Sequence, residues 1–188
     1  MRAATRAVMR PVIRLAAAAV AAGLASACAT LPPPQSAVKP VFEISGRVAV
    51  RYGGESATGR AEWRHSPEAD DMVISNPLGQ GIAELTRRGG EFTLVTADGK
   101  RHSARDAESL TEEVLGWRLP LAGLPDWVQA RPRPGEPAQT TFDGARLATL
   151  AQAGWRIEYL EYGENALPRR LKLTRDTLDI RLVIEEWR

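Results

Sequence analysis

The sequence predicts a mainly β fold, a curved antiparallel sheet with helices inserted midway and packed over its concave side. Three observations carry this. From Val41 onward, Phe42, Ile44, Gly46, Val48 and Val50 take every second place, with Glu43, Ser45 and Arg47 between them. Glycine turn signals, Arg87-Arg88-Gly89-Gly90 and Asp98-Gly99, then separate further short runs of the same kind. Between Asp106 and Ala130 the apolar spacing becomes helical.

Strands are expected over residues 42–50, 58–64, 71–75, 82–86 and 92–96. A helix opens at Asp106, carries Ala107, Leu110, Val114, Leu115 and Leu119 on one side and Thr111-Glu112-Glu113 on the other, and stops at Pro120. A second covers residues 124–130, with Trp127 and Val128 on its apolar side. Residues 131–137, Arg-Pro-Arg-Pro-Gly-Glu-Pro, read as loop. Strands resume over residues 146–151, 155–162, 169–174 and 178–187. Helices over an unclosed sheet leave room for an apolar hollow; a filled core fits the same periodicity.

The first 27 residues read as a secretory leader. Arg2, Arg6, Arg10 and Arg14 precede an apolar run that ends in Leu24-Ala25-Ser26-Ala27. Cys28, the only cysteine in the chain, follows directly. This arrangement resembles a lipobox, in which the thiol takes diacylglycerol and the new N-terminus a further acyl chain. It departs from the usual pattern in carrying Ala25 where leucine is common, and Ala25-Ser26-Ala27 also suits ordinary secretory cleavage. Residues 28–40 include Pro32-Pro33-Pro34, which favours an extended, semi-rigid tether. Ala29, in place of the aspartate that commonly holds bacterial lipoproteins at the inner membrane, implies outer-membrane delivery.

Composition narrows the functional classes. All four charges of the leader are positive, so the remainder holds 21 basic and 23 acidic residues, without the basic excess of a nucleic-acid binder. With no cysteine after Cys28, the domain is expected to stand on burial and hydrogen bonding alone. His65 and His102 stand apart from any nucleophile or metal motif, and neither a G-x-S-x-G nor a P-loop occurs. No enzyme, metal or cofactor is therefore expected. The acidic pairs Asp70-Asp71, Glu112-Glu113 and Glu185-Glu186 read as solvated faces.

Several blocks together carry a family resemblance. They are residues 42–50 (Phe-Glu-Ile-Ser-Gly-Arg-Val-Ala-Val), Trp63, and residues 75–80 (Ser-Asn-Pro-Leu-Gly-Gln). Further on come residues 115–120 (Leu-Gly-Trp-Arg-Leu-Pro), 124–128 (Leu-Pro-Asp-Trp-Val), 152–159 (Gln-Ala-Gly-Trp-Arg-Ile-Glu-Tyr) and 167–171 (Leu-Pro-Arg-Arg-Leu). In this order they resemble the LolB family of outer-membrane lipoprotein receptors and cover nearly all of residues 41–187. The resemblance implies an unclosed antiparallel β-barrel covered by a helical lid, with an apolar cavity for acyl chains. It further implies that the protein accepts lipoproteins from the periplasmic carrier LolA and inserts them into the outer membrane, with Cys28 as the lipidated anchor.

The same resemblance makes Leu78, between Pro77 and Gly79, a leucine displayed at a loop tip that touches lipid; a leucine folded back on its own core is the alternative. Trp63, Trp117, Trp127 and Trp155 are cavity or lid candidates, because large flat side chains grip alkyl chains without fixed geometry, although each also suits an ordinary core. Arg47 faces either a lid carbonyl, as a latch, or solvent. The expected partners are the carrier, lipoprotein acyl chains and the outer membrane, with a monomeric receptor. A lipid- or glycolipid-binding lipoprotein of the same fold, or a structural outer-membrane lipoprotein with a filled core, would share these features.

Overall fold

The structure, a computed structural model, describes residues 39–188. The leader, Cys28 and the tether to residue 38 lie outside the described residues. The described residues open with six strands: β1 (Phe42–Tyr52), β2 (Glu55–His65), β3 (Ala69–Ser75), β4 (Gly81–Arg88), β5 (Glu91–Thr96) and β6 (Arg101–Ala104). Two helices follow, α1 (Ala107–Leu115) and α2 (Leu124–Trp127). Five strands complete it: β7 (Ala138–Asp143), β8 (Arg146–Gln152), β9 (Trp155–Tyr162), β10 (Pro168–Arg175) and β11 (Leu178–Trp187).

All eleven strands join one antiparallel sheet in the order β6-β5-β4-β3-β2-β1-β11-β10-β9-β8-β7. Each strand pairs with its chain neighbour, except that the first and last meet in the middle and the helical segment links the two edges. The sheet is unclosed: β6 and β7 each have one strand neighbour. At the centre, the sheet bends at a bulge between Ser45 and Gly46. A Cβ on Gly46 would sit 2.1 Å from the Val183 carbonyl oxygen, so only glycine allows the two backbones to approach this closely.

Alternation along the strands sends one set of side chains into a single apolar cluster. Ile44 and Val50 from β1, Leu171 and Leu173 from β10, and Ile180 and Ile184 from β11 meet Leu110, Leu124, Trp127 and Val128 from the helical segment. Leu171 and Val128 have no exposed surface at all. Burial of such side chains is worth about 1.5–3 kcal/mol each, which is what holds the helices against the sheet.

The helices are shorter than their periodicity suggests. Asp106 caps α1 by accepting from the Ser109 backbone N–H at 2.9 Å, and Gly116 ends it in a left-handed conformation (φ 81°). The buried Thr111 hydroxyl then accepts from the Leu119 N–H at 2.9 Å, folding the chain back so that Leu119 reaches the core from a loop. The stretch after Trp127 continues as turns to Ala130. Two edge strands, β6 and β7, lie where no strand was expected. Every residue of β7 is exposed, so no in–out alternation marks it.

Candidate functional site: an apolar interior and a presented leucine

Between the central strands and the helical segment lies a hollow of ≈ 50 Å³. Ile44, Val48, Trp63, Met72 and Ile180 line it from the sheet, and Trp117, Leu119, Pro120 and Leu124 from the helical segment. Its walls are apolar, which suits hydrocarbon. Its size does not, because a void of this volume holds only a few waters and a long acyl chain needs many times that. As it stands, the hollow has no room for an acyl chain.

The fastenings of the helical segment are unevenly distributed. Glu108 on α1 meets Arg175, at the end of β10, at 2.9 Å. Near α2, the Tyr159 hydroxyl donates to the Trp127 carbonyl at 2.9 Å, and Trp127 Nε1 donates to Gln152 Oε1 at 2.9 Å. Burial, with a smaller push from Tyr162, raises the Tyr159 phenol above its ordinary value and keeps it a donor. Gln152 also binds the backbone of Arg133 and Glu136, which ties the following loop to the sheet. Among the described residues, no hydrogen bond joins the intervening Trp117–Leu121 to the sheet; Arg118 bonds only to Glu112 of α1. That span is held by apolar contact.

The loop between β3 and β4 presents Leu78, which is 86% exposed. Asn76 organises it. Its Oδ1 accepts from the Leu78 N–H at 2.9 Å and the Gln80 N–H at 3.0 Å, while its Nδ2 donates to Gln80 Oε1 at 2.8 Å. Gly79 takes φ 84° and donates its N–H to the Asn76 carbonyl at 2.9 Å. Pro77 fixes its own φ. The leucine is thus displayed on a loop already ordered, so little entropy remains to be lost when it meets a partner.

The sequence-derived candidates fall into distinct places. Trp63 and Trp117 line the hollow. Trp127, on α2, and Trp155, on β9, do not; their rings pack 6.3 Å apart in the core, the alternative that the sequence left open for each. Alternation places Arg47 on the outer face, where its side chain is 65% exposed and meets Glu185 at 2.8 Å. It does not latch the helices. Cys28 lies outside the described residues.

The Asp70-Asp71 pair is also corrected, since both are buried. Asp70 accepts from Trp63 Nε1 at 2.8 Å and from Arg87 Nε, and shares a hydrogen with His65 Nδ1 at 2.7 Å. Asp71 pairs with Arg88. Burial alone would raise the Asp70 carboxyl; the bonds from His65, Arg87 and Trp63, with the Arg87 charge, outweigh it and hold the group below its ordinary value. The available signal was Arg87-Arg88, which a hairpin brings opposite this pair in β3. The cluster braces Trp63, a wall of the hollow, from behind.

A family model described as outer membrane lipoprotein LolB matches residues 40–187. The chain belongs to the LolB family. Outer-membrane lipoprotein LolB of Thiobacillus denitrificans is 39% identical over 180 residues, covering 93% of this chain and 97% of that protein. LolB of Azoarcus sp. is 38% identical over 190 residues, covering 95% and 98%. LolB of Pseudomonas fluorescens is 41% identical over 150 residues, covering 78% and 73%. A solved LolA superfamily protein from Nitrosomonas europaea superposes with a TM-score of 0.48 at 9% identity, over 78% of this chain and 85% of that one. That likeness is too loose to carry an argument.

Proposed function

We propose that this protein is a lipid-anchored outer-membrane receptor that accepts lipoproteins from a LolA-type periplasmic carrier and inserts them into the outer membrane. The observation that carries the reading is Leu78, 86% exposed on a loop ordered by Asn76, in a chain of the LolB family. In this reading residues 1–27 direct export, Cys28 takes the acyl anchor, residues 28–40 form the tether and residues 41–188 receive cargo. Leu78 enters the lipid and opens a place for the cargo's acyl chains.

Burial of a methylene is worth about 0.8 kcal/mol, so three chains of roughly fifteen methylenes would cost ~36 kcal/mol to expose to water. Passage from one apolar interior to another avoids that exposure. Differential affinity along carrier, receptor and bilayer then drives transfer without nucleotide. For chains to enter, Trp117–Leu121 must swing outward. The span is suited to this, being held by apolar contact between two hydrogen-bonded ends. Acyl chains replacing its contacts would offset the cost of opening.

The test is Leu78→Glu with purified, loaded carrier. The variant should still empty the carrier, while insertion into vesicles falls about tenfold or more, the equivalent of one lost leucine contact with lipid. Unimpaired insertion would remove Leu78 from the mechanism. A second reading, a structural lipoprotein with a filled interior, is favoured by the ≈ 50 Å³ volume. It predicts no uptake of a fluorescent fatty acid by the wild-type protein, whereas the receptor reading predicts saturable uptake.

A further inference from the structure

The outer face of the sheet carries an open groove of ≈ 830 Å³ over β11. Among the described residues, Arg47, Arg60, Arg170, Lys172 and Arg181 line it, and no carboxylate does. Four of these cations stand opposite one another in two pairs: Arg47 faces Arg60 across β1 and β2, and Lys172 faces Arg181 across β10 and β11. Like charges in such positions destabilise a sheet. The bordering carboxylates do not balance them, since each is divided between two cations. Glu185 lies 2.8 Å from Arg47 and 3.0 Å from Arg60, and Asp179 lies 3.1 Å from Arg181 and 3.8 Å from Lys172. Glu161 is shared by Arg169 and Arg170, and Glu158 by Arg156 and Lys172.

Two further features indicate the ligand. The groove has an apolar strip, with Val183 in its floor and the 55% exposed Leu160 beside it. Its lip includes Pro77, the residue before Leu78, because register aligns Ser75, Arg60, Arg47, Val183 and Arg170 in one row across the sheet. Cations beside apolar surface, next to a leucine turned out to solvent, match an anionic amphiphile at a membrane surface.

We propose that this groove binds the phosphate headgroup of an anionic glycerophospholipid in the leaflet that Leu78 enters, and so orients the receptor on the membrane. The inference rests on the proposed membrane role of Leu78. The apolar contact supplies attachment without regard to headgroup, and the groove supplies charge-dependent orientation. Each cation near an anionic surface contributes about a fivefold gain in binding, weakened by salt.

The test is flotation of the processed chain, residues 28–188 carrying Cys28→Ala, with phosphatidylcholine vesicles, with and without phosphatidylglycerol. Phosphatidylglycerol should strengthen binding, and added salt should reverse the gain. Arg170→Gln with Arg181→Gln should cut the gain about 25-fold and leave binding to phosphatidylcholine alone unchanged. The Arg170→Lys, Arg181→Lys pair should retain it, which separates charge from misfolding. Arg131→Gln with Arg133→Gln, remote from the groove, should have little effect. The proposal is overturned if phosphatidylglycerol adds nothing, if the remote pair loses as much, or if the groove instead joins two copies of the chain in a dimer that the glutamine pair dissolves. Leu78→Glu should weaken binding to both vesicle types and leave the phosphatidylglycerol gain in place. Lipoprotein transfer is not read in this assay, so failure of the receptor reading would leave the groove's result standing.

Discussion

The inner and outer faces of β1, β2, β10 and β11 come from alternate residues of the same peptides, yet they follow opposite rules. Inward, Ile44, Trp63, Leu173 and Ile180 pack to near exclusion of water. Outward, Arg47, Arg60, Lys172 and Arg181 set like charges against each other around an open groove. The inner arrangement holds the fold together, whereas the outer one, with its carboxylates shared and its ion pairs exposed, contributes little to it. Cations gathered on an accessible face with no structural gain are more economically explained by a ligand than by folding.

The comparison can be tested by substitution, beginning with the largest effect. Asp70→Ala leaves the Arg87 charge and Trp63 Nε1 without their acceptor, and should cost about 3–5 kcal/mol in urea unfolding. Leu171→Ala, on the inner face, should cost about 2–5 kcal/mol. Gly46→Ala drives a Cβ into the Val183 carbonyl and should cost about 1–3 kcal/mol while blunting the central bend. Arg181→Gln, on the outer face, should change stability by no more than about 0.5 kcal/mol, since its ion pair is exposed and a repulsion is relieved. A loss above about 1 kcal/mol there would make the cations structural and erase the contrast between faces.

Acid offers a further probe. Because the Asp70 pKa is depressed on folding, its contribution is fully present above the unfolded carboxyl value, about 3.9. It is lost as pH falls through the lower folded value. Stability should therefore decline below about pH 4, and Asp70→Asn should flatten part of that decline, as read from urea midpoints across the acid range.

The Asn76–Gln80 loop and the Asp70 cluster show how unevenly function was legible. Pro77, Leu78 and Gly79 stand together in the chain, and their turn chemistry is local, so a turn there could be read directly; that the leucine faces outward rather than back onto the core came from the family resemblance. Asn76 was part of the same motif, but its two amide bonds emerge only once the loop closes. Asp70-Asp71 looked solvated because nothing nearby in sequence neutralises the pair; Arg87 and Arg88 arrive from the next strand. The groove was concealed by arithmetic, since a near-balanced total charge says nothing about five cations on one face.

By itself the sequence determined the local features: the two-residue alternation of the strands, the glycine turns and the helical interval. These depend on neighbouring residues along the chain, where propensity and spacing act. Only the tertiary structure decided which residues meet across strands. It placed Arg47 on the outer face, Trp127 and Trp155 in the core, and the end of α1 at Gly116 with Leu119 hydrogen-bonded to Thr111. It also left a hollow of only ≈ 50 Å³ between the central strands and the helical segment. Register and curvature carry those decisions, and both arise from contacts between residues far apart in sequence, which no local pattern encodes.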